Sequence, residues 1–300
     1  MKPIWGKKLH YQIEHETRLE FPTPVEEHQC EMRLAPRDDL HQRLTSITIE
    51  TDPPAELSSY IDAFGNRVHH FSVIAPHQIL LTRVRSEVET LLDNPFDYMS
   101  LTPEAETAWY EAELRRSPEV WQYILHQSPA TPAWHSLDVA ELNVPQRDPL
   151  QPVQMSLLAA MEWVHATLEY RPGVTEVHTP LAEVLKARAG VCQDFAHLLI
   201  SLIRSWRLPV RYVMGYLDPG FADNDNLKGE QASHAWVEVL IPGAGWRGFD
   251  ATHKLVANHT YIPVAVGRDY LDAAPQRGSF KGNNSGQSPR IKLQVARQGQ

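Results

Sequence analysis

Cys192 stands where a thiol could act as a nucleophile. Gly190 lies two residues before it, and apolar residues at helical spacing follow, so Cys192 falls in the first turn of a predicted buried helix. A helix N-terminus carries partial positive charge and free backbone N–H groups, which favour a thiolate and can complete an oxyanion hole. The pattern therefore predicts a nucleophile. The alternative for a lone cysteine is a small buried apolar residue.

Two later residues supply the partners that a nucleophilic thiol needs. His234 offers a general base, and Asp250 offers a carboxylate to orient it. The segments that carry them are predicted as adjacent strands, Ser233–Ile241 and Trp246–Ala251. If Ile241 pairs with Gly245, Trp236 lies opposite Asp250, and the imidazole and carboxylate are diagonal neighbours on one face. A symmetric four-residue loop would instead place them on opposite faces.

Other residues near these segments are weaker candidates. Tyr170 and Gln193 could donate to an oxyanion, and Trp236 could line the substrate cleft. We interpret Asp194 as a first-turn residue stabilised by the helix dipole, and His197 as a hydrogen-bonded packing residue.

A zinc site is the alternative use of these residue types. Cys192, His234, Asp250 and His253 are all potential zinc ligands, but no closely spaced ligand pair accompanies them. We also find no acidic loop of the kind that binds calcium. We therefore predict no metal and no cofactor. His253 is either a second imidazole near the site or a polar residue at a strand end, and we favour the latter.

Three regions should position these side chains. We predict an N-terminal β-sandwich-like domain at 1–90, a helical linker region packed on the core at 91–150, and a core with a C-terminal strand at 151–300. The first region reads as short strands separated by turns, at His10–Phe21, Gln29–Leu34, Leu44–Thr51, Val68–Ile74 and Ile79–Val84. In the last region, one helix presents Leu158, Met161, Val164 and Leu168 along one apolar face.

Composition narrows the classes of partner. The 300 residues carry a formal charge of -9 without a Lys/Arg-rich block, which argues against nucleic acid. No apolar stretch reaches membrane-spanning length, so we expect no membrane partner. The two cysteines, Cys30 and Cys192, do not have the spacing of a disulfide framework, which favours a reducing, cytoplasmic setting.

Four segments taken together resemble the bacterial transglutaminase-like superfamily. They are Gly190-Val191-Cys192-Gln193-Asp194-Phe195-Ala196-His197, Arg211-Tyr212-Val213-Met214-Gly215-Tyr216, Ser233-His234-Ala235-Trp236-Val237-Glu238-Val239 and Gly245-Trp246-Arg247-Gly248-Phe249-Asp250. The N-terminal region is similar to the β-domain that precedes this core in the bacterial group, through Leu34-Ala35-Pro36-Arg37 and Asp62-Ala63-Phe64-Gly65-Asn66. The family often has Pro and Asn after the aspartate, whereas this chain has Ala251-Thr252-His253.

The resemblance implies both a fold and an activity. The fold is α+β, a papain-like core in which the helix bearing the cysteine packs on an antiparallel sheet. Cys192 would be the nucleophile, His234 the general base and acid, and Asp250 the residue that orients His234. The expected enzyme is a cysteine protease or amidohydrolase that acts on peptide or isopeptide amides of a peptide or protein substrate through a thioester. Transamidation and a non-catalytic binding module are the alternatives.

Overall fold

A computed structural model describes residues 8–220, 233–282 and 289–299. The strands are β1 Leu9–Met32, β2 Gln42–Asp52, β3 Ser58–Ile61, β4 Arg67–Val73, β5 His77–Thr90, β6 Glu169–Tyr170, β7 Ala189–Gly190, β8 Val210–Leu217, β9 His234–Ile241, β10 Gly245–Asp250, β11 Leu255–Val256, β12 Tyr261–Gly267, β13 Gln276–Lys281 and β14 Arg290–Arg297. The helices are α1 Pro103–Arg116, α2 Gln122–Leu125, α3 Val153–Thr167, α4 Leu181–Ala187, α5 Cys192–Ser205 and α6 Tyr270–Ala273, with 3₁₀ turns at Pro118–Trp121 and Trp134–Ser136. None of the helices in this part of the chain is long and apolar enough to cross a membrane.

The N-terminal region is strand-rich, as predicted. Strand β1 is 24 residues long and joins two of the strands that the sequence suggested. Its first half pairs with β5 and its second half with β4, and the register shifts between Glu20 and Val25, where two prolines lack the N–H that a ladder needs. The order β2-β5-β1-β4-β3 follows, and the short exposed strand β3 was not anticipated.

The C-terminal strands return to the N-terminal sheet. Both β13 and β14 pair antiparallel with β1, so they do not extend the core to which the sequence analysis assigned 151–300. Most residues of both strands are exposed or half-buried. Such strands carry little information about which distant edge they will pair with.

The core is helix α5 packed on a five-stranded antiparallel sheet of order β11-β10-β9-β8-β12. The predicted apolar stripe of α5 is buried, with Leu198, Leu199 and Ile203 fully enclosed against Val237 and Val239 of β9. Burial of each such side chain stabilises the fold by about 1.5–3 kcal/mol. Helix α3 packs beside α5 and contributes to the same core.

The linker region at 91–150 contacts the core through Arg204, near the end of α5. Arg204 is 9% exposed, and its guanidinium donates to the carbonyls of Tyr123, His126 and Arg268, and to the hydroxyl of Thr131. Burial lowers the pKa of Arg204 to about 10. One buried cation therefore joins the linker region to helix α5 and to the loop after β12.

Candidate active site

Cys192 is the first residue of α5 and is partly accessible. The helix start is shaped by Asp194, whose Oδ2 accepts hydrogen bonds from the Val191 N–H at 2.8 Å and from the Thr175 hydroxyl at 2.7 Å. A Cβ atom built on Gly190 would lie 2.6 Å from that oxygen, so only glycine leaves room for the carboxylate. Asp194 lies in the first turn of α5, as predicted, and burial raises its pKa. The glycine before the cysteine has a steric explanation.

The β9–β10 hairpin brings His234 and Asp250 onto one face of the sheet. Ile241 pairs with Gly245, and the ladder continues until Phe249 lies opposite Val237. Of the two registers that the sequence left open, this is the one that places both side chains on the same face. His234, the first residue of β9, then reaches Asp250 diagonally, and its Nε2 lies 2.8 Å from Asp250 Oδ2.

The Cys192 side chain is also close enough to His234 to contribute to the raised pKa of that imidazole. Burial acts to lower the pKa of His234, but the charge and hydrogen bond of Asp250 and the contact with Cys192 outweigh it and raise this pKa. The arrangement therefore favours the protonated form of the His234 imidazole.

Asp250 is fully buried and accepts hydrogen bonds on both carboxylate oxygens. Oδ2 accepts from His234, from His253 Nδ1 at 2.7 Å and from the Tyr261 hydroxyl at 2.8 Å, while Oδ1 accepts the backbone N–H of Thr252 at 2.9 Å. Burial alone would raise the pKa of Asp250, but the imidazoles of His234 and His253 hold it well below its ordinary value. The carboxylate therefore stays ionised in a dry environment.

The interpretation of His253 as an ordinary strand-end residue is wrong. Its side chain contacts Asp250, and its ring centroid lies 4.8 Å from that of His234. The three-residue spacing across the turn after β10 is the local signal that could have identified it. Tyr261, eleven residues after the aspartate on β12, carried no such signal, because only the fold brings it to the carboxylate.

The other candidates lie around this centre. Tyr170 pairs with Gly190 in a short parallel ladder, and its ring centroid is 6.3 Å from that of Phe195. Gln193 donates a side-chain N–H to the Val177 carbonyl at 3.1 Å. Their oxyanion roles remain predictions.

Trp236 and His197 are both buried. Trp236 is only 1% exposed, and its ring stacks beside that of His234 with centroids 6.1 Å apart. In this structure Trp236 therefore packs against the imidazole. Its predicted place in a substrate cleft stays a prediction. His197 accepts the backbone N–H of Tyr270 at 3.2 Å, and burial lowers its pKa to about 4. The packing role predicted for His197 is thereby confirmed.

The group of His234, Asp250 and His253 also has the residue types of a cation site, since one ligand atom from each lies within 4.8 Å of the others. Both imidazoles, however, already point a nitrogen at the same carboxylate oxygen, which Tyr261 also contacts. A cation there would have to replace these hydrogen bonds. Hydrogen bonds within the protein therefore explain why His234, Asp250 and His253 lie together.

Comparison with known families matches two parts of the chain. Residues 11–89 match the bacterial transglutaminase-like N-terminal region, and residues 141–251 match the transglutaminase-like superfamily. The second match contains Cys192, His234 and Asp250.

Two mycobacterial proteins are similar to this chain over most of its length, and a third protein is similar over a shorter segment. An uncharacterized protein of Mycobacterium leprae is 33% identical over 277 residues, which span 91% of this chain and 94% of that protein. A Mycobacterium tuberculosis protein is also 33% identical, over 91% of this chain and 88% of its own length. A protein-glutamine gamma-glutamyltransferase of Pseudomonas aeruginosa is 31% identical over 96 residues, covering 29% of this chain and 14% of that enzyme.

A solved structure shares the fold. The crystal structure of a "putative cysteine protease" from Cytophaga hutchinsonii superposes with a TM-score of 0.76 and covers 98% of this chain and 92% of its own. The two sequences are 23% identical.

Proposed function

The chain belongs to the transglutaminase-like superfamily, and from this premise we propose that it is a cysteine-nucleophile acyl-transfer enzyme acting on peptide or isopeptide amides. The observation that carries the proposal is the line of contacts from Cys192 through His234 to Asp250. A thiol at a helix start, a buried imidazole and a buried carboxylate are the three groups that thiol-based acyl transfer requires.

Each residue has a distinct part in the proposed reaction. The Cys192 thiolate attacks the amide carbonyl carbon, forming a C–S bond and a tetrahedral oxyanion near the N-terminus of α5. His234 gives its proton to the departing nitrogen as the C–N bond breaks, which leaves a thioester and releases ammonia or an amine. Water then attacks the thioester with His234 as base, the C–S bond breaks, and a carboxylic acid leaves. Asp250 is a positioning residue that keeps the imidazole oriented and protonated.

Hydrolysis is the outcome that we propose, with transamidation as the second candidate. The local similarity to a protein-glutamine gamma-glutamyltransferase supports the second candidate, because in that outcome an amine rather than water resolves the thioester. Both candidates share the first half of the reaction, so Cys192, His234 and Asp250 have the same roles in each.

A single assay separates the candidates. Ammonia release from a glutamine-containing peptide is measured with and without a primary amine, and the products are identified by mass. We expect ammonia and the glutamate product from the native chain and none from Cys192→Ala. Incorporation of the amine in preference to water would favour the transamidase. Equal ammonia release by Cys192→Ala would contradict both, since neither can proceed without the thiol.

A further inference from the structure

Strand β12, which begins at Tyr261, lies at one end of the core sheet. Among the strands that the structure describes, it pairs only with β8. The outer side of such an edge strand carries backbone N–H and C=O groups that need partners from elsewhere. In this chain the N-terminal region supplies partners for them, from residues that are distant in the sequence.

Two of these contacts flank Tyr261. Two residues before it, the His259 carbonyl accepts the hydroxyl of Thr90 at 2.6 Å. Two residues after it, the Pro263 carbonyl accepts a side-chain N–H of Gln42 at 2.9 Å. Thr90 and Gln42 are each only 1% exposed, and a hydrogen bond in a buried environment is stronger than one in water. The N-terminal region therefore holds the backbone on both sides of Tyr261.

The motif Asp62-Ala63-Phe64-Gly65-Asn66 makes a third contact with the same segment. The side-chain amide of Asn66, which is 1% exposed, donates to the Val266 carbonyl at 2.7 Å and accepts the Val266 N–H at 2.8 Å. The same amide nitrogen also donates to Asp62 Oδ2 at 3.0 Å, which fixes its orientation. Asn66 thus pairs with β12 as a neighbouring strand would, and the segment 259–266 is held at three places.

Tyr261 connects this segment to the candidate active site. Its hydroxyl donates to Asp250 Oδ2 at 2.8 Å, the oxygen that His234 Nε2 also contacts. Its ring packs edge-on against Trp236 with centroids 5.2 Å apart, and Trp236 in turn stacks beside His234. Tyr261 therefore reaches the carboxylate directly and the imidazole through one intervening ring.

The Tyr261 hydroxyl stays protonated over the pH range in which enzymes work. Burial and the negative charge of Asp250 raise the pKa of Tyr261 well above its ordinary value. The imidazoles of His234 and His253 also contact this carboxylate, whereas His165 of α3 contacts the two backbone carbonyls that follow it. Tyr261 is thus a neutral donor that orients the carboxylate without adding charge.

We propose that Tyr261 is a positioning residue for acyl transfer, and that the N-terminal region takes part in catalysis by holding Tyr261 against Asp250 through its hydrogen bonds to the segment 259–266. Loss of a contact beside Tyr261 lets its hydroxyl move away from Asp250. The carboxylate then has more than one orientation, and small displacements of this kind slow a reaction that depends on precise geometry. This inference rests on the proposed function, because it assigns a part in the same reaction.

Tyr261→Phe tests the hydroxyl, because it keeps the ring that packs on Trp236. We expect kcat for ammonia release to fall about ten-fold, as for the loss of one hydrogen bond to a charged group. With one donor fewer, Asp250 should hold the His234 proton more tightly, so the alkaline limb of the kcat profile should move to higher pH. Native kcat and a native pH profile in a folded Tyr261→Phe protein would overturn the proposal.

Thr90→Val tests whether the N-terminal region acts through Tyr261. It removes the hydrogen bond to the His259 carbonyl with little change in side-chain shape. We expect kcat to fall about three- to five-fold in the native background, and not to fall further in Tyr261→Phe, where the hydroxyl is already gone. Equal losses in the two backgrounds would mean a general structural effect and would overturn this part of the proposal.

Thr82→Val is the matched control. Thr82 is also a buried threonine of β5, but its hydroxyl contacts Gln276 of β13 at 3.4 Å. It should keep the native kcat, and so should Thr90→Ser, which retains the hydroxyl. A loss in Thr82→Val as large as in Thr90→Val would contradict the proposal. If Thr90→Val does not fold, Gln42→Met, which loses the N–H that reaches Pro263, takes its place in the same pair of backgrounds.

An NMR titration of His234 separates this inference from the proposed function, because it needs no turnover. The imidazole signals of His234 are identified as those that His234→Gln removes. Tyr261→Phe should raise the pKa measured for His234, whether or not the chain releases ammonia. An inactive native chain that shows this shift would contradict the proposed function and leave the Tyr261 contact standing. An active chain in which neither kcat nor the titration responds to Tyr261→Phe would overturn this inference alone.

Discussion

His253 Nδ1 lies 2.7 Å from Asp250 Oδ2, the same oxygen that accepts the hydrogen bond from His234 Nε2 at 2.8 Å. One buried carboxylate oxygen thus serves two imidazoles, and the Tyr261 hydroxyl makes a third contact with it. The negative charge that stabilises the His234 imidazolium is therefore shared, so the side chain at 253 should influence the basicity of His234.

We expect His253→Ala to lower kcat by roughly ten-fold, since a hydrogen bond to a charged group contributes about 1.5–3 kcal/mol and only part of it acts on the reaction. With one donor fewer, Asp250 should hold the His234 proton more tightly, so the alkaline limb of the kcat profile should move to higher pH. His253→Asn keeps an N–H donor and is the control. An equal loss of kcat in His253→Asn and His253→Ala would contradict a role for the N–H donor of His253.

Asp250→Asn should reduce the reactivity of the Cys192 thiol at mildly acidic pH. Without the carboxylate charge the pKa of His234 falls, so the imidazolium that stabilises the thiolate is lost. We expect the rate of alkylation by iodoacetamide at pH 6 to fall by about 10- to 100-fold.

Cys192→Ala measures the background of the alkylation experiment. It leaves only Cys30, which is buried and whose pKa burial raises to about 12, so this variant should react slowly at every pH tested. Identical alkylation profiles for the native chain and Asp250→Asn would show that Asp250 does not control the thiol.

The stability of the chain should depend on pH through the same pair. The depressed pKa of Asp250 stabilises the fold above its unfolded value of about 3.9, and this contribution is lost as pH falls towards the folded pKa. The raised pKa of His234 stabilises the fold below about 6.5, and this contribution is lost as pH rises towards the folded pKa. The native chain should have a larger free energy of unfolding in urea than Asp250→Asn, and the difference should be largest between about pH 4 and 6.5. A difference that does not vary with pH would contradict this assignment.

Gly190→Ala should destabilise the chain by about 1–3 kcal/mol, because the new methyl group would lie 2.7 Å from the Asp194 Cβ. The distortion falls at the start of α5, so thiol reactivity should fall as well. Gly173→Ala is the control, because its Cβ atom would meet nothing within 4 Å, although the positive φ of 78° adds some strain. Its thiol should react at the native rate. Native thiol reactivity in Gly190→Ala would mean that the carboxylate does not shape the cysteine loop.

Much of the candidate site was predictable because its parts are local. The glycine before Cys192 and the apolar stripe after it place the thiol at a helix start, as found. The sequence also predicts that β9 and β10 are adjacent strands, but it leaves two registers open, and only the structure decides the one that puts His234 and Asp250 on one face. The helix and the hairpin each depend on contacts within about 16 residues, where helical periodicity and strand alternation apply directly.

The sequence by itself determined the family, the helix that carries the thiol and the adjacent strands that carry His234 and Asp250. Tertiary structure alone decided the register of those strands, that Tyr261 meets Asp250, and that β13 and β14 complete the N-terminal sheet. The difference is physical, because spacing along the chain encodes which face a side chain takes within its own element. The packing of separate elements depends on how all their buried surfaces fit together.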